Sequence, residues 1–324
     1  MPGGLGGGAT AAETIAGAPL GEPGADLTTP LAAEIEQEVR LANRHRTVAR
    51  LDPPVRTRIL VVANQKGGVG KTTTAVNIAA GLAQWGQQAL LVDLDPQGNA
   101  STALGIEHQE GTPGAYDALI DARPLRELVQ DVATLPGLSV LPATIDLAGA
   151  EIDLVSLVAR ESRLQRVLHA YLAERAAAGR RVDYVFIDCP PSLGLLTVNA
   201  LVAGEEILVP IQCEYYALEG VGQLLRTVEM VRAHLNPKIQ VSTILLTMHD
   251  ARTRLSAGVA AEVRAHFPDQ VLRTAIPRSV RISEAPSYQQ TVMTYDPASA
   301  GAVSYLEAAR EISARGAVKA EGTT

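Results

Sequence analysis

An α/β fold, with a mostly parallel central sheet and helices on both faces, is the class this sequence predicts, and three observations predict it. Short, predominantly apolar runs recur at 59–63, 89–92, 138–141, 184–187, 206–211 and 241–246. Longer stretches of helical length and periodicity lie between them, at 72–85, 161–178, 218–235 and 255–267. A glycine-rich turn joins the first run directly to the first of these helices. Strands without polar alternation are buried on both faces, and strands separated by helices pair in parallel. A ligand of such a sheet sits at the carboxyl ends of its strands.

Composition narrows the classes. The chain has 324 residues, of which 47% are hydrophobic but only 3% aromatic, so its core is built from Ala, Val, Leu and Ile. A formal net charge of −7 excludes a surface coated everywhere with positive charge, and any nucleic-acid contact is therefore local. Cys189 and Cys213 are far apart and lack metal-ligand spacing, which points away from a disulfide framework or zinc and towards a reducing cytoplasm. No run of 18 apolar residues and no signal-like start is present, so neither export nor membrane spanning is expected.

Residues 1–29, rich in Gly, Ala, Pro and Thr, are expected to be a disordered tail. A basic, partly helical arm is expected over 30–55, where Leu31, Ile35, Val39 and Ala42 recur at helical spacing before Pro53 and Pro54 interrupt. The main domain is expected at 56–315, with a flexible tail at 316–324.

The first strand leads into Asn64-Gln65-Lys66-Gly67-Gly68-Val69-Gly70-Lys71-Thr72-Thr73. Glycines let successive amides turn inward, Lys71 supplies a point charge for β- and γ-phosphates, and the Thr72 hydroxyl suits Mg²⁺. The following helix adds the positive end of its dipole. A generic phosphate loop has glycine where this chain has Gln65, and a second lysine, Lys66, follows it. Two lysines around three glycines repel each other unless an anion lies between them. The second strand ends in Asp93 and Asp95, two residues apart and so on one side of an extended chain. Beside a triphosphate, one carboxylate can hold metal-bound water while the other orients the attacking water; otherwise the pair is a solvated acidic turn. The run ending in Asp188 closes a further strand in the same way, ahead of Cys189-Pro190-Pro191-Ser192-Leu193-Gly194. Cys189 is expected to be a small core residue.

The stretch 66–72 resembles the deviant Walker A loop shared by ParA, MinD, nitrogenase iron protein and arsenical-pump ATPases. Residues 93–99 resemble the ParA switch I segment and 188–193 its Walker B and switch II region. The likeness runs from about 57 to 312 and includes 146–151 and 295–299. It implies an Mg²⁺-dependent ATPase whose nucleotide contacts are Lys66, Gly67, Gly68, Val69, Gly70, Lys71, Thr72 and Thr73, with Met248 and Pro277. It implies Thr72, Asp93 and Asp188 at the metal, and Lys66, Lys71 and Asp95 in catalysis. Lys66 would reach across a homodimer to the partner's ATP, and Asp95 would be required for hydrolysis.

Between 250 and 281 six arginines face three carboxylates in an otherwise acidic chain. Segments 246–256 and 276–287 are similar to two stretches of chromosomal ParA and Soj proteins. That likeness implies a nonspecific double-stranded DNA surface, with Arg281 first, Arg278 second, and Arg252 and Arg254 beside them. Where relatives usually carry Gly-Lys-Pro, this chain has Gln289-Gln290-Thr291, so a basic contact is missing. The arm either offers a replacement, because Arg40, Arg44, Arg46, Arg50, Arg56 and Arg58 face only Asp52 over 40–58, or merely covers the domain. The resemblance thus implies a cytoplasmic, nucleoid-associated partitioning ATPase. Its ATP dimer would hold DNA, and a ParB-like centromere-binding partner would stimulate hydrolysis and release. Three other readings differ in what they need. A MinD-like ATPase cycling on membrane needs a basic amphipathic C-terminal helix, for which Tyr305, Glu307 and Glu311 are poor. An iron–sulfur electron donor needs cysteines bridging two subunits in the switch loops. A noncatalytic DNA-binding regulator would bind nucleotide without turning it over.

Overall fold

The computed structural model describes residues 50–215, 217 and 219–321, with the backbone alone at 219, 220 and 317–321. They belong to one compact unit, Thr47–Thr324. The tail expected at 1–29 and the arm up to residue 49 lie outside the described residues.

Eight strands form one sheet: β1 (Arg58–Val62), β2 (Ala89–Asp93), β3 (Gln130–Asp131), β4 (Leu138–Leu141), β5 (Tyr184–Asp188), β6 (Glu206–Gln212), β7 (Gln240–His249) and β8 (Val271–Pro277). Their spatial order is β3-β4-β2-β5-β1-β6-β7-β8, parallel throughout except where β3 runs antiparallel to β4. The helices are α1 (Lys71–Gln84), α2 (Asn99–Ala103), α3 (Ala115–Ile120), α4 (Leu147–Val155), α5 (Arg163–Ala177), α6 (Leu195–Ala203), α7 (Glu219–His234), α8 (Arg254–His266), α9 (Val280–Glu284), α10 (Val292–Tyr295) and α11 (Ala300–Glu321).

Alternation along the central strands feeds two cores. Ile59 and Val61 of β1, with Val185 and Ile187 of β5, face a layer built from α3 to α8. Leu60, Val62, Tyr184 and Phe186 face the other layer, of α1, α2, α10 and α11. Each fully buried aliphatic side chain contributes about 1.5–3 kcal/mol, so the unbroken burial of β2 and β5 anchors the sheet where its site must be held rigid.

The six expected strands and four expected helices are present, with ends shifted by three residues at most. Strand β8 was not foreseen, because exposed Arg273 and half-buried Thr274 break the apolar run of an edge strand. Helices α2, α9 and α10 are four or five residues long, too short to show a period. The helix α11 continues to Glu321, past the tail boundary expected at 316.

Candidate functional site

The sheet's order reverses around β1, whose carboxyl end is flanked by β5 on one side and β6 on the other. There the chain turns through the glycine loop into α1. Gly68 and Gly70 stand at φ +74 and +87, a left-handed conformation costly for a residue with a Cβ. A Cβ built on Gly67 or Gly68 meets nothing within 4 Å, so the loop is an open cradle. Two strands brace it. Asn64 Nδ2 donates to the Pro210 carbonyl of β6 at 2.8 Å, while Asn64 Oδ1 accepts the Lys66 amide at 3.0 Å. Thr247 Oγ1, from β7, donates to the Val69 carbonyl at 2.9 Å.

The two lysines are placed differently. Lys71 opens α1 and is only 7% exposed; burial lowers its pKa, against the raising influence of Asp188, Cys189 and Asp95. Lys66 stands at the rim with 31% of its side chain exposed, and its ammonium lies 3.9 Å from Glu214.

Asp93 and Asp188 are register neighbours on β2 and β5, and both are fully buried. Asp93 Oδ2 accepts the Ser101 amide at 3.0 Å and the Ser101 hydroxyl at 2.8 Å, and Oδ1 accepts the Asp95 amide at 3.2 Å. Burial nevertheless pushes its pKa up to about 6. Both Asp188 oxygens are buried without a donor at bonding geometry. Burial first, and then the Asp93 charge, drive its pKa well above the carboxylate range; the nearby Thr72 hydroxyl and Lys71 ammonium offset part of this. A buried acceptor with no donor is expensive, and a cation is what satisfies it. The open cradle, Lys71, the Thr72 hydroxyl and the orphaned Asp188 therefore fit a hard divalent cation that arrives with a polyphosphate. Asp93 adds its charge to that site while its oxygens brace the 93–101 turn. Asp95 lies in this turn, where Oδ1 accepts the Gln97 amide at 3.0 Å, and its charge is felt at Lys71 and Asp188.

Met248, the last residue but one of β7, stands at φ +51, unusual for a residue with a side chain, and Pro277 ends β8 in register with His249. Both lie at the same end of the sheet as the loop, as do the candidate DNA arginines. Three of these four are ion-paired. Arg252 grips Asp250 through two bonds of 2.9 Å, Arg278 reaches Glu214 at 3.1 Å, and Arg281 lies 3.2 Å from Glu284 and 3.4 Å from Asp296. Arg254, exposed at the start of α8, has no ion pair among the described residues. The positive excess of 250–281 is thus partly neutralised, in two cases by acids distant in sequence. Arg58 of the basic arm requires a correction: it is a clamp with its side chain only 10% exposed, bound to both Glu206 oxygens at 2.7 Å and to the Ile312 carbonyl. Arg56 pairs with Glu205 at 2.7 Å.

Reading the sequence missed Asn64, Ser101, Thr247 and Glu214. Asn64 could have been found as an amide poised just before a glycine turn; the other three act across the fold. Cys189 is the core residue expected, and burial holds both its thiol and that of Cys213 above the usual range.

A family model described as an AAA domain matches residues 57–241. The chain is 51% identical over 259 residues to the sporulation initiation inhibitor protein Soj of Bacillus subtilis, covering 80% of this chain and 99% of that one. It is 49% identical to the chromosome partitioning protein ParA of Myxococcus xanthus, covering 80% and 88%. Among solved structures it resembles a Mycobacterium smegmatis protein described as cobyrinic acid a,c-diamide synthase with bound ADP and magnesium. That match has a TM-score of 0.66 and 39% identity, over 78% of this chain and 93% of the other.

Proposed function

The chain belongs to the ParA/Soj family of P-loop ATPases, and from that premise we propose that it segregates DNA as an ATP-dependent sandwich dimer. It is an ATPase that uses Mg²⁺ and ATP. The observation that carries the finer reading is the division of labour between its two lysines. Lys71 is buried against its own loop, whereas Lys66 stands at the rim, able to reach a phosphate held by another copy.

Within one protomer, the loop amides and Lys71 bind the β- and γ-phosphates, and Thr72 and Asp188, with the charge of Asp93, hold the cation. Mg²⁺, when bound, neutralises charge that develops on the phosphoryl oxygens. Asp95 orients the attacking water. Lys66 makes its phosphate contact only in the closed dimer, so ATP binds that state more tightly than the open one, and this difference shifts the population. Arg252, Arg254, Arg278 and Arg281 then present a nonspecific DNA surface, and a ParB-like partner stimulates hydrolysis and release. The protein acts in the cytoplasm, on the nucleoid. The match described as a diamide synthase is 39% identical, against 51% and 49% for the partitioning proteins.

The MinD-like alternative lacks support in α11. Ala302, Tyr305, Ala308, Ala309 and Ile312 spend its apolar face inside the core, and Glu311 accepts the amides of Arg273 and Thr274. No helix among the described residues is long and apolar enough to cross a membrane.

DNA retention without nucleotide, with ADP and with ATP tests the proposal. Asp95→Ala is expected to stay ATP-bound and retain DNA without turnover. Lys66→Ala should fail to dimerise, and Arg281→Glu should dimerise but lose DNA. Retention that ignores nucleotide state would refute the switch.

A further inference from the structure

Glu214, just past the end of β6, stands between the phosphate loop and the basic surface. Its Oε2 lies 3.9 Å from Lys66 Nζ, and its Oε1 accepts from Arg278 at 3.1 Å and from Gln212 Nε2 at 2.6 Å. A backbone route joins the same two places. Thr247 Oγ1 holds the Val69 carbonyl, Met248 follows at φ +51, and the Arg278 amide donates to the His249 carbonyl at 3.1 Å. One carboxylate thus serves as counter-ion to a lysine of the nucleotide loop and to an arginine of the candidate DNA surface.

We propose that Glu214 is a positioning residue that holds the resting state: it keeps Lys66 on its own protomer and masks Arg278 until a triphosphate arrives. The inference rests on the partitioning reading above. A triphosphate brings negative charge to the loop, where it attracts Lys66 and repels Glu214. Half of the Glu214 side chain is exposed, so the displaced carboxylate is readily solvated and its pairs are weak enough to be exchanged. Once Glu214 swings away, Arg278 is free to meet a phosphate of DNA. The contact that delays dimerisation and the contact that hides a DNA arginine are therefore the same acid.

Glu214→Gln keeps the side-chain shape while removing the charge. Glu262→Gln is the control, the same charge change at an exposed position of α8 that is not the ion-pair partner of Lys66 or Arg278. Without nucleotide, Glu214→Gln is expected to bind DNA about threefold more tightly than wild type, the scale of a half-exposed ion pair. With a nonhydrolysable ATP analogue the two should bind equally, because wild type has already displaced its carboxylate. The analogue concentration that half-saturates dimerisation should fall by a similar factor. In an Arg278→Gln background the DNA gain should vanish while the dimerisation gain remains, a pattern that mere loosening of the loop does not produce. The inference is overturned if Glu214→Gln matches wild type, if its gain is the same with and without analogue, or if Glu262→Gln reproduces it. Wild type separates the two levels. If it retains DNA no better with ATP than without, the partitioning reading fails and the inference with it; if wild type switches and the variant pattern is absent, the inference alone fails.

Discussion

Asp188 illustrates how a single residue can trade stability for chemistry. Its two oxygens are buried with no donor at bonding geometry next to the buried Asp93, so ionising it in the nucleotide-free fold is costly. The folded pKa of each carboxyl is raised above an unfolded value near 3.9. The folded state therefore binds more protons than the unfolded one, and stability falls as pH rises. For Asp93 the loss spans about pH 4 to 6, and Asp188 carries it higher. Asp188→Asn is expected to stabilise the nucleotide-free protein by roughly 1–3 kcal/mol near pH 7.5 and to flatten its pH dependence. The same variant should lose the extra stabilisation that Mg²⁺ and ATP give the wild type. Thermal melts across pH, with and without Mg·ATP, check both signs; a variant less stable than wild type without nucleotide would refute the account of this site.

At the scale of elements, the site is a set of strand ends brought level by the sheet. The glycine loop and the three carboxylates of the candidate site were legible in the sequence because each motif is contiguous and lies at or just past the end of its strand. What braces them was not. Thr247 reaches Val69 across 178 residues, and Ser101 reaches Asp93 only because α2 folds back over β2. Glu151 packs its carboxylate against Gly194 at the start of α6, where a Cβ would come within 1.9 Å, a closeness that only the three-dimensional approach of α4 and α6 reveals. Thr247→Val tests the bracing. It leaves the Val69 carbonyl without its donor and should cost about 1 kcal/mol of stability. ATP affinity, read by nucleotide titration, should fall by a few-fold while the secondary structure is unchanged. An unaltered affinity would mean that β7 does not position the loop.

For the whole molecule, a net charge of −7 confines any positive surface to local patches, and charge counted along the chain overstated how unpaired the arginines of 250–281 are. Arg278 and Arg281, though still exposed, are ion-paired with Glu214 and Asp296, residues outside the basic stretch and invisible to a local tally. Under the proposed partitioning function, such pairing would keep these arginines from DNA until a second copy joins. The central claim is that joining: a triphosphate, with Lys71 from one side and Lys66 from the other, binds two copies together. Sedimentation of the full chain with Mg²⁺ and a nonhydrolysable ATP analogue measures it directly. The expected result is a dimer of wild type with the analogue, a monomer with ADP, and a monomer of Lys66→Ala under both conditions. A wild-type protein that binds the analogue yet sediments as a monomer would contradict the account.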